Sequence, residues 1–268
     1  MKTSDPSPRD TGAMALGSAR PLPFANRREA GRRLAAHLQA YANQPDVVVL
    51  GVPRGGVPVA FEVATALRAP LDLWVVRKLG LPGQPEYAMG AIATGEVTVH
   101  NTELIRRLGL KLSDMAAVTR AELRELHRRE RLYRGQRPLP PLEQQRIVLV
   151  DDGLATGASM RAAVQALRQH RPRKIIVAVP VGAPEACALL REEADEVVCD
   201  LMPQRFNSVG QWYEDFSQTS DGEVRDLLAQ SWHRGALAID SPAFKDAAAS
   251  DDVGDRTLAP ESAYGVLP

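Results

Sequence analysis

Two adjacent carboxylates, followed by a loop of small residues, form the segment of this sequence with the clearest chemistry. Asp151 and Asp152 directly follow the apolar run 146–150, and a helical pattern begins at about residue 159. Small residues let backbone N–H groups crowd around an anion, and the next helix directs its positive end at it. The spacing predicts a phosphate cradle made of Ala155, Thr156, Gly157, Ala158 and Ser159.

The side chains around this cradle suggest what else the ligand carries. The aspartates would repel a phosphate, so they suit neighbouring hydroxyls or a hard cation shared with the ligand. A phosphate close to a diol describes a ribose 5-phosphate. Thr156 and Ser159 can add hydroxyl donors, and a side chain placed at Gly157 is expected to fill the cradle.

A second loop of the same kind follows another apolar run. Val47 to Val52 is rich in β-branched residues, and it leads into Pro53, Arg54, Gly55 and Gly56 before a helical pattern resumes. The two glycines permit unusual backbone angles and close approach of an anion, and Arg54 supplies positive charge. The pattern indicates a second phosphate-binding loop.

A third basic segment follows a further apolar run. Arg77 and Lys78 are predicted to end a strand, and a segment rich in Gly and Pro continues from Leu79 to Tyr87. Taken alone, this segment is interpreted as a solvated surface turn. Glu86 and Tyr87 are candidate contacts within it.

Short apolar runs alternate with helical patterns through the middle of the chain. The predicted strands are 47–52, 71–76, 146–150, 175–181 and 196–201, with a hairpin formed by 89–93 and 97–99. The first predicted helix begins at Asn26, and four more cover 57–67, 113–134, 159–170 and 184–194. Ser113 is expected to cap the helix 113–134, and Gly135 lies just past its end. Such alternation predicts an α/β fold with a mainly parallel sheet and helices on both faces. Ligands of these folds bind at the carboxyl ends of the strands.

Length and composition predict one α/β domain with two tails. The chain has 268 residues, and we expect a disordered leader at 1–22, a folded body at 23–234 and a disordered tail at 235–268. The 33 basic residues match the 33 acidic ones, so no general attraction to nucleic acid or to an anionic membrane is expected. No apolar run is long enough for a membrane helix or typical of a signal peptide, which favours the cytoplasm. Cys187 and Cys199 are expected to be buried, reduced thiols.

The strand, Asp-Asp and Thr-Gly loop together resemble the signature of the type I phosphoribosyltransferases, and the resemblance covers roughly Phe24 to Leu228. It implies the fold of that family, with a small hood and a flexible loop. It further implies that Asp151 and Asp152 hold the ribose 2- and 3-hydroxyls, that 155–159 hold the 5-phosphate, and that Arg54, Gly55, Gly56 and Lys78 hold pyrophosphate.

The reaction implied by the resemblance is displacement of pyrophosphate from C1 of phosphoribosyl pyrophosphate by a nucleobase-like or amine acceptor. Its catalytic residues would be Arg54, Arg77, Lys78, Asp151 and Asp152. Its cofactor would be Mg²⁺, held at Asp151 and Asp152 directly or through the ligand, and a homodimer is a further expectation. Two alternatives are a regulatory protein that senses phosphoribosyl pyrophosphate or a nucleotide, and a hydrolase that uses water.

The acceptor is the least determined part of this interpretation. The 6-oxopurine enzymes of the family place an aspartate three residues after the second acid, where this chain has Ala155. The aromatic residues of the expected hood either stack on a flat acceptor or belong to the core; they are Phe206, Trp212, Tyr213 and Phe216. The basic stretch 128–131 is interpreted as a solvated face bridged by Glu125–Arg129 and Glu130–Arg134, with an anionic partner as the alternative.

Overall fold

The computed structural model describes residues 23–81 and 84–239. Its helices are α1 (Arg27–Ala36), α2 (Gly56–Leu67), α3 (Thr102–Leu108), α4 (Leu112–Arg134), α5 (Ala158–Arg168), α6 (Pro184–Arg191) and α7 (Asp221–Ile239). Its strands are β1 (Val47–Gly51), β2 (Leu71–Leu73), β3 (Val76–Leu81), β4 (Gln84–Ala93), β5 (Val97–His100), β6 (Arg146–Val150), β7 (Lys174–Val181) and β8 (Glu196–Leu201). The predicted leader 1–22 lies outside the described residues, as does most of the predicted tail, whose first five residues continue α7.

A five-stranded parallel sheet in the order β2-β1-β6-β7-β8 forms the centre of the molecule. Strands buried on both faces are apolar throughout, and β1 is buried at each of its positions. The pairing of β1 with β6 runs from Val47 opposite Arg146 to Gly51 opposite Val150, so both strands end at the same level. The predicted fold class, an α/β fold with a mainly parallel sheet covered on both faces, is confirmed.

Two hydrophobic layers cover the faces of this sheet. Alternate residues of a strand point to opposite faces. Val49 accordingly packs with the layer that contains residues of α1, α2, α4 and α7. Leu50 packs with the other layer, which contains residues of α5 and α6. Cys187 is buried in this second layer and Cys199 is partly buried beside it, and both are free thiols, as expected.

The predicted strand 71–76 is wrong, because two strands in different sheets share these residues. β2 pairs with β1 in the parallel sheet, whereas β3 pairs with β4 in an antiparallel sheet of order β3-β4-β5. The chain changes sheet at Trp74 and Val75. The backbone N–H of Trp74 donates to the carbonyl of Gly51 (2.9 Å), and the backbone N–H of Val75 donates to the Thr94 hydroxyl (3.0 Å). Apart from Asp72, the run 71–76 is apolar and mostly buried, so its residue types do not show where one strand ends and the next begins.

The segment from Leu79 to Tyr87 also differs from its prediction as a loop. It belongs mainly to β3 and β4, with only residues 82–83 outside the described part, and the side chain of Tyr87 is 62% exposed. Arg77 and Lys78 therefore lie near the start of a strand and do not end one. The hairpin predicted at 89–99 is confirmed, since β4 pairs with β5 around residues 94–96.

Most predicted helices occur, with differences at their ends. Ser113 does not cap the long helix, because α4 already begins at Leu112 after Lys111. Gly135 follows α4 as expected, with a φ of +63°. α3 and α7 were not predicted. No helix in the described ranges is both long enough and apolar enough to cross a membrane.

Candidate active site

The level ends of β1 and β6 bring the two predicted phosphate loops into contact. The Val52 N–H donates to the carbonyl of Val150 (2.9 Å), which ties the loops together directly after the strands. A Cβ atom on Gly55 would lie 2.0 Å from Oδ2 of Asp152, and one on Gly56 would lie 2.8 Å from Cα of Asp151. Only glycine fits at these two positions while the acidic pair keeps its place.

The two carboxylates share a poorly solvated position. The Asp152 N–H donates to Oδ1 of Asp151 (2.9 Å). Loss of solvation, and next the charge of Asp152, raise the pKa of Asp151 well above its usual value. Loss of solvation also raises the pKa of Asp152, although its hydrogen bond from Arg27 works against that rise. This concentration of negative charge favours a bound cation or the donated hydroxyls of a ligand.

Arg27 belongs to this site, although the sequence did not mark it as a site residue. Its Nε donates to Oδ2 of Asp152 (2.8 Å), and both side chains are nearly buried. Asn26 caps α1 by accepting from the Glu29 N–H, which places Arg27 at the first position of that helix. The available signal was the Phe-x-Asn-Arg pattern at 24–27, which identifies the cap but not its partner 125 residues away.

The predicted phosphate cradle opens towards solvent. Leu154 anchors its start by donating to the carbonyl of Val181 (2.9 Å) and accepting from the Ala183 N–H (2.9 Å). The residues Ala155, Thr156, Ala158 and Ser159 are exposed, and α5 begins at Ala158. Their N–H groups and the positive end of α5 form an arrangement that can hold a phosphate.

Gly157 allows this turn because of its backbone conformation. Its φ is +72°, in the left-handed region where glycine is favoured. A Cβ atom on it would lie 3.4 Å from Cβ of Ala186 on α6, the nearest heavy atom. A Cβ atom there would thus be in ordinary contact with α6, and the expectation that a larger side chain at this position fills the cradle stays a prediction.

Of the three basic residues predicted to stabilise pyrophosphate, one lies at the phosphate loops and two lie on β3. Arg54 lies beside Gly55, and its guanidinium is 3.7 Å from the Asp221 carboxylate of α7. Arg77 contacts Glu122 of α4 at 2.7 Å, and Lys78 is exposed on β3. Arg54 is thus placed at the two loops directly, whereas Arg77 contacts a helix.

The aromatic residues of the expected hood are mostly core. Trp212 and Tyr213 are buried, and the Tyr213 ring lies 5.4 Å from Phe24 and 5.0 Å from Phe216. Its hydroxyl donates to the carbonyl of Asp152 (2.6 Å), which joins the hood to the acidic pair. Phe206 is partly buried against the same cluster. Phe216 alone of the four reaches 36% exposure.

The acidic pair fits a divalent metal only together with a ligand. Within the described residues, no three His, Cys, Asp or Glu side chains are grouped so that they could hold a metal ion. Mg²⁺ takes near-octahedral oxygen ligands and commonly combines one or two carboxylates with phosphate oxygens. Asp151 and Asp152 could therefore supply part of such a coordination shell, with the rest from a bound phosphate compound.

Comparison with known proteins agrees with this geometry. Residues 25–215 match the family described as the phosphoribosyl transferase domain. Two curated Mycobacterium tuberculosis proteins, from strains CDC 1551 and H37Rv and provisionally named phosphoribosyl transferases, are each 47% identical over 238 residues. The match covers 89% of this chain but only 52% of each relative, so the chain spans about half their length.

A solved structure extends the likeness to the backbone. The protein TT1426 of Thermus thermophilus superimposes with a TM-score of 0.71 and is 42% identical, over 78% of this chain and 99% of that one. The family match includes both loops, the acidic pair and Arg27. The chain belongs to the phosphoribosyl transferase domain family.

Proposed function

We propose that this protein binds phosphoribosyl pyrophosphate with Mg²⁺ and transfers its phosphoribosyl group to a nucleobase-like or amine acceptor, releasing pyrophosphate. The observation that carries the proposal is the packing of Gly55 and Gly56 against Asp151 and Asp152. That contact sets a pyrophosphate-type loop, an acidic pair and an open phosphate cradle side by side at the carboxyl edge of one sheet.

Each part of the site takes one part of the ligand in this proposal. The N–H groups of 155–159 and the start of α5 hold the 5-phosphate. Asp151 and Asp152 accept hydrogen bonds from the ribose hydroxyls. Arg54 and the N–H groups of Gly55 and Gly56 hold pyrophosphate, with Lys78 and Arg77 joining them from β3.

The proposed chemistry rests on charge stabilisation and positioning. The bond from C1 of the ribose to pyrophosphate breaks as the acceptor nitrogen bonds to C1, so the sugar becomes cation-like while the leaving group gains negative charge. Mg²⁺ bound with the ligand would neutralise part of the pyrophosphate charge. Arg54 would supply fixed positive charge beside the leaving group.

A sensor of phosphoribosyl pyrophosphate or of a nucleotide is the second candidate. The observation that favours it is the ion pair between Arg77 and Glu122. One of the basic residues predicted to stabilise pyrophosphate is thereby already paired with a carboxylate. Ala155, in the place of the aspartate of the 6-oxopurine enzymes, is also consistent with a protein that binds the ligand without purine transfer.

Calorimetric titration of phosphoribosyl pyrophosphate with and without Mg²⁺, followed by a pyrophosphate-release assay over purines, pyrimidines, pyridine carboxylates and simple amines, tests the proposal. Mg²⁺-dependent binding with release for one acceptor is the expected result. Binding without release for any of them would favour the sensor. Absence of binding would contradict the transferase and the sensor of phosphoribosyl pyrophosphate, and would leave only a nucleotide sensor.

A further inference from the structure

The two cysteines of the chain lie side by side against Gly182. Cys187 belongs to α6 and Cys199 to β8, and their thiols are in hydrogen-bond contact. A Cβ atom on Gly182 would lie 2.7 Å from Sγ of Cys187 and 3.4 Å from Sγ of Cys199. Both sulfur atoms therefore face the same backbone position, which only glycine fits while the thiols keep their places.

The backbone at Gly182 also holds the start of the phosphate cradle. Gly182 forms a parallel bridge with Leu154, and Cβ of Leu154 lies 3.4 Å from the position that a Cβ of Gly182 would take. The Gly182 N–H donates to the carbonyl of Leu201 (3.0 Å), and Sγ of Cys199 lies 3.1 Å from the same oxygen. The thiol pair and the first residue before the cradle thus contact the same short piece of backbone.

Helix α6 lies next to the middle of the cradle. A Cβ atom on Gly157 would lie 3.4 Å from Cβ of Ala186, the residue before Cys187, and 3.7 Å from Leu190. Leu154 and Gly157 therefore both contact the segment that carries Cys187. A change in the position of α6 would reach the cradle at both places.

We propose that Cys187 and Cys199 are a redox modification site: hydrogen peroxide converts them into a reversible disulfide, which lowers the affinity of the cradle for phosphate. A disulfide needs its sulfur atoms about 2 Å apart, closer than two thiols in hydrogen-bond contact, so α6 and β8 have to approach each other. The cradle then loses part of its fit to α6. The loss of phosphate affinity rests on the proposed function, whereas formation of the disulfide does not.

The oxidation consumes one hydrogen peroxide and releases two waters. Cys199 is the partly exposed thiol, on an edge strand of the sheet, so peroxide reaches it first. Its thiolate sulfur bonds to one peroxide oxygen, the O–O bond breaks, and the departing hydroxide takes up the Cys199 proton to form water. The Cys187 sulfur then bonds to the Cys199 sulfur, the S–O bond of the sulfenic acid breaks, and the Cys187 proton leaves with that oxygen as the second water.

The contact between the thiols affects the two steps differently. Their hydrogen bond is the largest influence on both groups, and it lowers the pKa of Cys187 and raises the pKa of Cys199. The lowered pKa favours the second step, because the thiolate is the attacking species. The raised pKa slows the first step, so the oxidation has to be followed as a time course.

Mass spectrometry of the full chain tests whether the disulfide forms. Reduced protein is treated with hydrogen peroxide, and the remaining thiols are then alkylated with iodoacetamide. The wild type should lose the mass of two hydrogen atoms, resist alkylation at both cysteines, and regain both thiols in dithiothreitol. Cys187→Ala and Cys199→Ala should each show no such loss. Wild type that remains alkylated at both cysteines, or that gains only irreversible oxygen adducts, would overturn the modification site.

Calorimetric titration with ribose 5-phosphate tests whether the disulfide affects the cradle. The oxidised wild type should bind about fivefold more weakly than the reduced wild type, the lower end of typical coupling between two sites, and dithiothreitol should restore the affinity. The control is Cys187→Ala with Cys199→Ala, which keeps every methionine and should bind equally before and after peroxide. If this double variant does not fold, Cys199→Ala alone replaces it. Equal or tighter binding by the oxidised wild type, or the same loss in the control, would overturn the coupling.

The outcomes separate this inference from the proposed function. If the reduced wild type binds neither ribose 5-phosphate nor phosphoribosyl pyrophosphate, the proposed function fails and the coupling fails with it, while the mass measurement still decides the disulfide. If the reduced protein binds and the disulfide forms without changing the affinity, only the coupling is wrong.

Discussion

Contact between Gly55 and Asp152 is the most restrictive feature at the scale of single residues. A methyl group at Gly55 would lie 2.0 Å from Oδ2 of Asp152, so Gly55→Ala must push the carboxylate and Arg27 apart. We expect Gly55→Ala to weaken Mg²⁺-dependent binding of phosphoribosyl pyrophosphate by about tenfold or more, the scale of a lost charged hydrogen bond. Calorimetry measures this, with Gly222→Ala as control because its nearest neighbour atom would be 3.6 Å away. Unchanged affinity in Gly55→Ala would contradict the arrangement.

The acidic pair should matter for binding and not for folding. The double change Asp151→Asn with Asp152→Asn should abolish binding of phosphoribosyl pyrophosphate, because neutral amides neither attract a cation nor replace the acceptors for two hydroxyls. The melting temperature should fall only moderately, since the gain from replacing two poorly solvated carboxylates offsets part of the cost of leaving Arg27 without its anionic partner. Differential scanning calorimetry and titration check both statements, with the exposed Asp226→Asn as control. Retained affinity in the double variant would rule out the assigned role.

The role of Arg54 can be distinguished from that of the sugar-binding residues by comparing the binding of two ligands. Arg54→Ala should reduce the affinity for phosphoribosyl pyrophosphate by about tenfold or more, because a charged contact to the pyrophosphate is lost. Its affinity for ribose 5-phosphate should stay the same. Arg77→Ala provides the comparison, and a smaller effect is expected there because Arg77 already contacts Glu122. Equal loss for both ligands in Arg54→Ala would mean that Arg54 holds the loop and not the pyrophosphate.

At the scale of elements, local patterns predicted much of the parallel sheet and little of its surroundings. β6 matches its prediction at both ends, and β1 ends one residue early, because each is a mainly apolar run that a residue unsuited to a buried strand follows: Asp151 after β6, and Pro53 after Val52. The proximity of Gly55 to Asp152 could be expected from two neighbouring strands that end together. The contact between Arg27 and Asp152 could not, because the approach of α1 to the end of β6 is a tertiary arrangement and leaves no local pattern.

The long basic helix α4 matches its interpretation as a bridged, solvated face. Glu125 contacts Arg128 and Arg129, at 2.7 and 2.8 Å, and the hydrogen bond from Arg128 contributes most to lowering the pKa of Glu125 to about 2. Arg134 also lies 3.5 Å from Glu130. Several cations of this helix are therefore already neutralised by residues one turn away, which weakens the case for an anionic partner.

Tyr133 joins α4 to α7 near Arg54. Its shifted pKa makes this contact testable through the pH dependence of stability. The Tyr133 hydroxyl donates to Asp221 (2.6 Å), and burial first, then this bond, raise its pKa to about 12. A raised pKa stabilises the fold below the unfolded value of about 10, and this stability is lost as the pH rises through 12. Tyr133→Phe should therefore be less stable than the wild type by about 1 kcal/mol at pH 8, and the difference should vanish towards pH 12. Urea denaturation at both pH values measures it, and a constant difference would contradict the assignment.

At the scale of the whole molecule, the edge strand β2 connects the sheet to α4 and α7, the helices that contact Arg77 and Arg54. Arg134 of α4 donates to Asp72 (3.0 Å) and to the carbonyl of Leu73 (3.0 Å). Trp232 of α7 donates to the carbonyl of Leu71 (2.8 Å). An ion pair and two hydrogen bonds to backbone carbonyls thus attach α4 and α7 to the edge strand.

Breaking this buried pair measures what it contributes to the stability of the fold. The side chains of Arg134 and Asp72 are 6% and 3% exposed, so Arg134→Met leaves a carboxylate buried without its cation. Removing one partner of a buried pair costs about 3–5 kcal/mol of unfolding free energy, whereas replacing both can be nearly neutral. We expect Arg134→Met to lose that amount at pH 7, and the double variant with Asp72→Leu to recover most of it. The exposed Arg131→Met serves as the control.

The pH dependence of the single variant gives this prediction its sharpest form. Burial already raises the pKa of Asp72, and the charge of Arg134 opposes this rise. The pKa of Asp72 should therefore rise further when the arginine is gone. A group whose pKa is raised by folding stabilises the fold below its unfolded pKa of about 4 and loses that effect as the pH rises through the folded value. Arg134→Met should therefore approach the wild type in urea denaturation near pH 4.5 and fall furthest behind it at pH 7. An equal deficit at both pH values would mean that lost packing, and not the unpaired carboxylate, sets the cost.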